Sequence, residues 1–101
     1  MEKRIDYEPL VTELVKDYLQ DFGHMYIENY ERFGESEKNH VVNIGTQIML
    51  NYWGLQKYEP GSFVKSFISN NLHDSYMRAD RINSLCIRFY LMMQYNLRQN
   101  F

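Results

Sequence analysis

Apolar residues recur along the first third of the chain at steps of three and four: Leu10, Leu14, Tyr18, Phe22 and Met25, with Val11, Val15 and Leu19 alongside. That interval matches the turn of an α-helix and predicts a long amphipathic helix. It begins around Pro9, whose missing N–H costs nothing in a first turn. Glu13, Lys16, Asp17, Gln20 and Asp21 fall on the opposite, water-facing side. Tyr26, Tyr30 and Phe33 continue the stripe beyond Gly23, a weak point where the helix bends. The expected span is therefore about 8–33, with Gly34 as its C-terminal stop.

A second helix is predicted from a cap at Ser36 and is clear from Val41 onward. Val41, Ile44, Ile48 and Tyr52 line one side, Leu50 and Trp53 widen it, and Gly54 ends it; Gly45, without a side chain, lets another helix approach. Pro60-Gly61-Ser62 reads as a turn into a third helix packed through Phe63, Val64, Phe67 and Ile68, which Asn70-Asn71 breaks. A short helical piece is expected over 72–79. Asp80 is an N-cap for the last helix, its carboxylate accepting the N–H of Ile82 or Asn83. Ile82, Leu85, Cys86, Phe89, Met92, Met93 and Leu97 then follow at helical steps, with Ile82, Leu85 and Phe89 expected in the core. No alternating strand with a hairpin turn and no internal repeat interrupts this pattern. The expectation is an all-α fold, one domain over 1–101, in a bundle of about four to five helices.

Composition changes this picture little. A 101-residue chain with 45% hydrophobic and 24% charged residues supports a single core rather than disorder. No apolar run approaches the roughly 18–20 residues of a membrane span, and Met1-Glu2-Lys3-Arg4 leads into an acidic amphipathic segment instead of a signal-peptide core, which points to the cytoplasm. Cys86 is the single cysteine, so no intramolecular disulfide or multi-cysteine metal site forms, and its place on the apolar stripe reads as a core thiol rather than a nucleophile. His24, His40 and His73 fit no local ligand spacing. Without a Gly-rich phosphate loop, a nucleophile-elbow serine or an evident acid–base pair, the chain reads as non-enzymatic and without a cofactor.

Charge is more informative. Residues 1–37 carry ten acidic and four basic side chains, whereas residues 38–101 carry three acidic and seven basic. Either the halves neutralise each other, within the fold or across a subunit contact, or the second half faces an anion. No helix bears a basic stripe dense enough for direct DNA binding. Nine tyrosines, six phenylalanines and one tryptophan exceed what one small core hides with every hydroxyl satisfied. Together with the long apolar stripe of the first helix, they predict a homo-oligomer.

The helix starting after Pro60-Gly61 has Ser62, Phe63, Val64 and Lys65 in its first turn and no carboxylate there, so its N-terminal end is positive and suited to a phosphate. Lys65, Arg78 and Arg81 would add charge, and Tyr58 or Phe63 a flat face for a base. The candidate ligand-binding set is thus Tyr58, Gly61, Ser62, Phe63, Lys65, Arg78 and Arg81; the plain alternative is an ordinary capped helix start.

The string Pro60-Gly61-Ser62-Phe63-Val64, then Asn70-Asn71-Leu72, then Arg78-Ala79-Asp80 and Asn83 resembles a widespread set of small phage and prophage proteins. In that set a Pro-Gly-(Ser/Gly)-Phe turn is followed by Asn-(Asp/Asn)-Leu and an Arg-Ala-Asp-x-x-Asn helix start. The match covers about residues 44–97, and Asn71 stands where an acidic residue is commoner. The resemblance implies a phage origin more than any one activity. Small phage proteins of this size often disarm host defence. Oligomeric helical sponges that sequester cyclic oligonucleotides, as anti-CBASS proteins do, are similar by analogy in size, helical character and a phosphate-ready turn. The implied reading is a phage-encoded, self-associating binding protein for a cyclic nucleotide or related anionic ligand. One rival is an inhibitor that binds a host defence protein through the acidic face of Glu13, Asp17, Asp21, Glu28 and Glu31; another is a regulatory or virion-assembly protein.

Overall fold

The computed structural model describes residues 5–99, with Tyr76 described by its backbone alone; the reading of Met1-Glu2-Lys3-Arg4 lies outside the described residues. Among the described residues six α-helices follow one another: α1 (Glu8–Tyr26), α2 (Glu35–Tyr52), α3 (Ser62–Ile68), α4 (Leu72–Arg78), α5 (Arg81–Leu85) and α6 (Ile87–Asn96), with a 3-10 turn over Tyr30–Arg32. The fold is all-α, and no strand occurs among the described residues.

α1 starts where Pro9 and the Asp6 carboxylate, which accepts the Glu8 N–H at 3.0 Å, satisfy its first turn. It ends at Tyr26, about two turns earlier than the stripe predicts. Ile27 becomes extended and buried, and Asn29 adopts a left-handed φ of 57°. The chain thereby doubles back and lays Tyr30 against Gly23, where an added Cβ would come within 2.8 Å of the Tyr30 ring. Tyr30 and Phe33 do pack on the core, but from a reversal rather than from a continued helix. Gly34 is consequently the residue before α2 and not the stop of α1. Glu37 accepts the Gly34 N–H at 3.1 Å, so this contact and not a Ser36 cap opens α2.

α1 and α2 meet at Gly45. A Cβ there would lie 2.9 Å from Val15 Cγ1 and 3.4 Å from Met93 Cε, so the glycine is the point where α1, α2 and α6 converge. Thr46 reinforces the seam, its hydroxyl donating to the Val42 carbonyl at 2.7 Å and lying 3.4 Å from the Thr12 hydroxyl. α2 ends as expected, with Gly54 at φ 70° beyond Trp53.

The last helix is divided. The Cys86 N–H bonds to Asn83 O at 3.0 Å, a tight three-residue step that separates α5 from α6. The step turns Ile87 and Tyr90 inward beside Cys86, Phe89 and Met93, all within 2% of complete burial. Ile82 only flanks the core and Leu85 is half-buried, contrary to the continuous register. Tyr18 of α1 packs its ring 5.5 Å from that of Phe89, and its hydroxyl accepts from Asn96 Nδ2 at 3.0 Å. Among the described residues no buried side-chain nitrogen or oxygen lacks a partner.

Phe89 touches no solvent, so Phe89→Ala is expected to cost about 3–5 kcal/mol. Urea denaturation of the variant with an unchanged midpoint would contradict this placement.

Candidate functional site

α3 begins after Gly61, which has extended ψ and open space around it. The helix is only seven residues long, and its buried face of Phe63, Val64, Ser66 and Phe67 seats it against the core. Asn70, at φ 62°, reverses the chain, and the Asn71 side chain then accepts the Asp74 N–H at 3.0 Å to open α4. Asparagine at position 71 therefore keeps a capping contact. The two short helices enclose a cleft of about 330 Å³ lined by Ser62, Lys65, Ser66, Ser69, Asp74 and Arg78.

Three of the seven expected ligand residues, Ser62, Lys65 and Arg78, thus share one cleft. The other four lie elsewhere or play other parts. Phe63 is 7% exposed, with its ring 6.1 Å from Phe67 and 6.0 Å from Tyr90, so it belongs to the core and offers no face to a base. Arg81 lines a different cavity, with Arg32, Phe33 and Glu37. Tyr58 stands 75% exposed on the loop before α3, and Gly61 contributes its place at the helix start.

The electrostatics also depart from expectation. Glu59, on the extended segment before α3, places a carboxylate oxygen 3.1 Å from Lys65 Nζ, close to the helix start that lacks an acidic residue of its own. Asp74 accepts from the Ser66 hydroxyl and from Arg78 Nε, the latter at 2.8 Å, and these two bonds, the Ser66 bond first, hold its carboxyl below the usual carboxylate range. Asp74 was legible as the partner of a residue four positions ahead on one helix face. Its bond to Ser66 crosses to another helix and was not.

His40 Nε2 lies 2.9 Å from Asp80 Oδ2, while Asp80 Oδ1 accepts the Asn83 N–H at 2.7 Å, so Asp80 both caps α5 as expected and ties it to α2. No three histidine, cysteine or acidic side chains gather as metal ligands among the described residues. No family model, curated protein or solved structure matches the chain.

Burial, with the Asp80 charge adding to it, pushes the Cys86 thiol up to about 12. The thiol therefore stays protonated when folded. Its contribution to stability is fully present below the ordinary thiol pKa and is lost as pH rises toward 12. Iodoacetamide should alkylate Cys86 at least about a hundredfold more slowly in the native protein than in urea at neutral pH. Equal rates would show that the thiol is accessible.

Proposed function

We propose that this chain is a non-catalytic binding protein that takes a phosphate-bearing small molecule in the cleft between α3 and α4. The observation that carries the reading is the convergence of Lys65 and Arg78, thirteen positions apart, with the Ser62 and Ser69 hydroxyls around one open cleft. The Glu59 carboxylate beside Lys65 does not forbid it, and Asp74, bonded to Arg78 in the same cleft, is the negative charge a phosphate has to outweigh. Lys65 and Glu59 are 66% and 84% exposed, and a pair so solvated contributes only about 0–1 kcal/mol. A phosphate dianion bridging Lys65 and Arg78 displaces Glu59 at little cost and accepts from the Ser62 hydroxyl, those of Ser66 and Ser69 already donating to Asp74 and to the Ser66 carbonyl.

Cyclic oligonucleotides suit this site as a class, since they present several phosphates to its two cations. In a phage, a protein that sequesters such a molecule would blunt a host defence signal. Self-association fits the same role. Leu10, Met25, Tyr52, Met77 and Tyr95 are each more than half exposed, an apolar burden that contact between copies would relieve. A second reading, inhibition of a host protein by charge mimicry, draws on the exposed carboxylates of Glu13, Asp17 and Asp21 along α1.

Titration calorimetry with cyclic dinucleotides and inorganic phosphate tests the reading. Lys65→Ala and Arg78→Ala should each weaken binding by roughly ten- to a hundredfold, as loss of a charge-assisted contact does, and Arg81→Ala should not. Absence of binding by the unaltered protein would remove this reading in favour of the second. Sedimentation should give a multiple of the 12.3 kDa chain; a monomer at micromolar concentration would exclude self-association as its basis.

A further inference from the structure

The lysines differ in how they are neutralised. Lys16, Lys57 and Lys65 stand 3.7, 2.9 and 3.1 Å from carboxylates of Glu13, Asp6 and Glu59. Lys38, the remaining lysine among the described residues, makes no ion pair there; its ammonium lies 5.1 Å above the centroid of the Tyr30 ring. An aromatic face holds a cation in place while leaving its N–H donors free for an anion.

The local fold is built to put that ring there. Asn29 takes a left-handed conformation to reverse the chain, and Gly23 lacks the side chain that would collide with Tyr30. The ring is thus clamped between the backbone of α1 and the ammonium from α2. Beside it opens a cleft of about 530 Å³, within the range of roughly 300–1,000 Å³ typical of small-molecule sites. Its apolar floor is Leu19 and Val42, both nearly buried, and Lys16, Gln20 and Asn39 stand around it with Lys38. Glu35 is on the same rim.

We propose that this α1–α2 cleft is a second binding site, separate from the α3–α4 cleft, and that it takes a small amphipathic carboxylate. The apolar body of the ligand rests on Leu19 and Val42. Lys38 receives its carboxylate, and the Gln20 and Asn39 amides supply neutral hydrogen bonds. Glu35 sets the specificity: it repels a second negative charge and accepts from an N–H or O–H of the ligand. A monoanion with one donor fits; a polyphosphate does not.

Indole acetate is a suitable probe, having an apolar ring, one N–H and one carboxylate. Its titration into the labelled full chain, followed by NMR, should shift the side-chain amide signals of Gln20 and Asn39 saturably. Lys38→Gln, an exchange at the cleft rim that leaves the core untouched, should weaken binding about tenfold or more. Arg78→Ala should bind the probe as the unaltered protein does, which separates this site from the phosphate reading. Inorganic phosphate should leave the two amides unmoved. The proposal is overturned if the amides do not shift saturably, if Lys38→Gln binds with unchanged affinity, if phosphate moves the same signals, or if Arg78→Ala abolishes binding.

Discussion

Inside the core the Tyr90 hydroxyl donates to the Asn83 side-chain carbonyl at 2.8 Å, a side-chain bond between the two pieces of the divided last helix. A buried hydroxyl left without a partner would cost about 1–3 kcal/mol, so α6 is held in the rotation that delivers Tyr90 to Asn83. Burial above all, with the neighbouring Cys86 and Asp80 adding to it, raises the phenol well above its ordinary pKa, which keeps the donor proton in place. The rings of Phe63 and Phe67 then pack 6.0 and 5.9 Å from that of Tyr90, and α3 is seated by them. The Asn83 backbone is itself held by the Asp80 cap, and Asp80 reaches α2 through His40. The network is fully satisfied, which is the condition under which buried polar groups specify one packing rather than destabilise it.

From that seating the two clefts follow. α3 and α4 are too short to stand alone, so the groove between them exists because Phe63 and Phe67 fix α3 on the core and the Ser66–Asp74 bond draws α4 to it. The α1–α2 cleft has a different origin. It opens on the rim beyond the close approach at Gly45 and is walled by the chain reversal at Asn29. In the first cleft the charges are paired with carboxylates; in the second a lysine is held by an aromatic ring instead.

The acidic and basic halves of the chain meet less than their totals allow. Among the described residues Lys57–Asp6 is the ion pair that joins them, fastening the loop after α2 to the start of α1, and the hydrogen bond it makes is the leading reason why the Asp6 carboxyl sits below its usual range. The acidic side chains Asp17 and Asp21 stay exposed on α1. The asymmetry is therefore a property of the molecular surface more than of its interior.

Although the turn expected over Pro60-Gly61-Ser62 is instead extended chain running into α3, the sequence by itself determined the helical class, the start of α1, the start of α3 after Gly61, the break at Asn70-Asn71 and the Asp80 cap. These depend on residues within a turn or two of one another: apolar spacing, a proline, glycine and asparagine backbone freedom, and a carboxylate within reach of its own helix. Only the tertiary structure decided what depends on distant partners. Tyr26, Tyr30 and Phe33 keep helical spacing, yet Gly23 made a place for Tyr30 that rewarded a chain reversal over a longer helix. Phe63 looked available to a ligand until Tyr90 and Phe67 claimed it, and Lys65 looked unpaired until the loop brought Glu59 beside it. Periodicity specifies which face of a helix is apolar; what covers that face, and which charges are left to act, is settled by packing between segments that the local pattern does not relate.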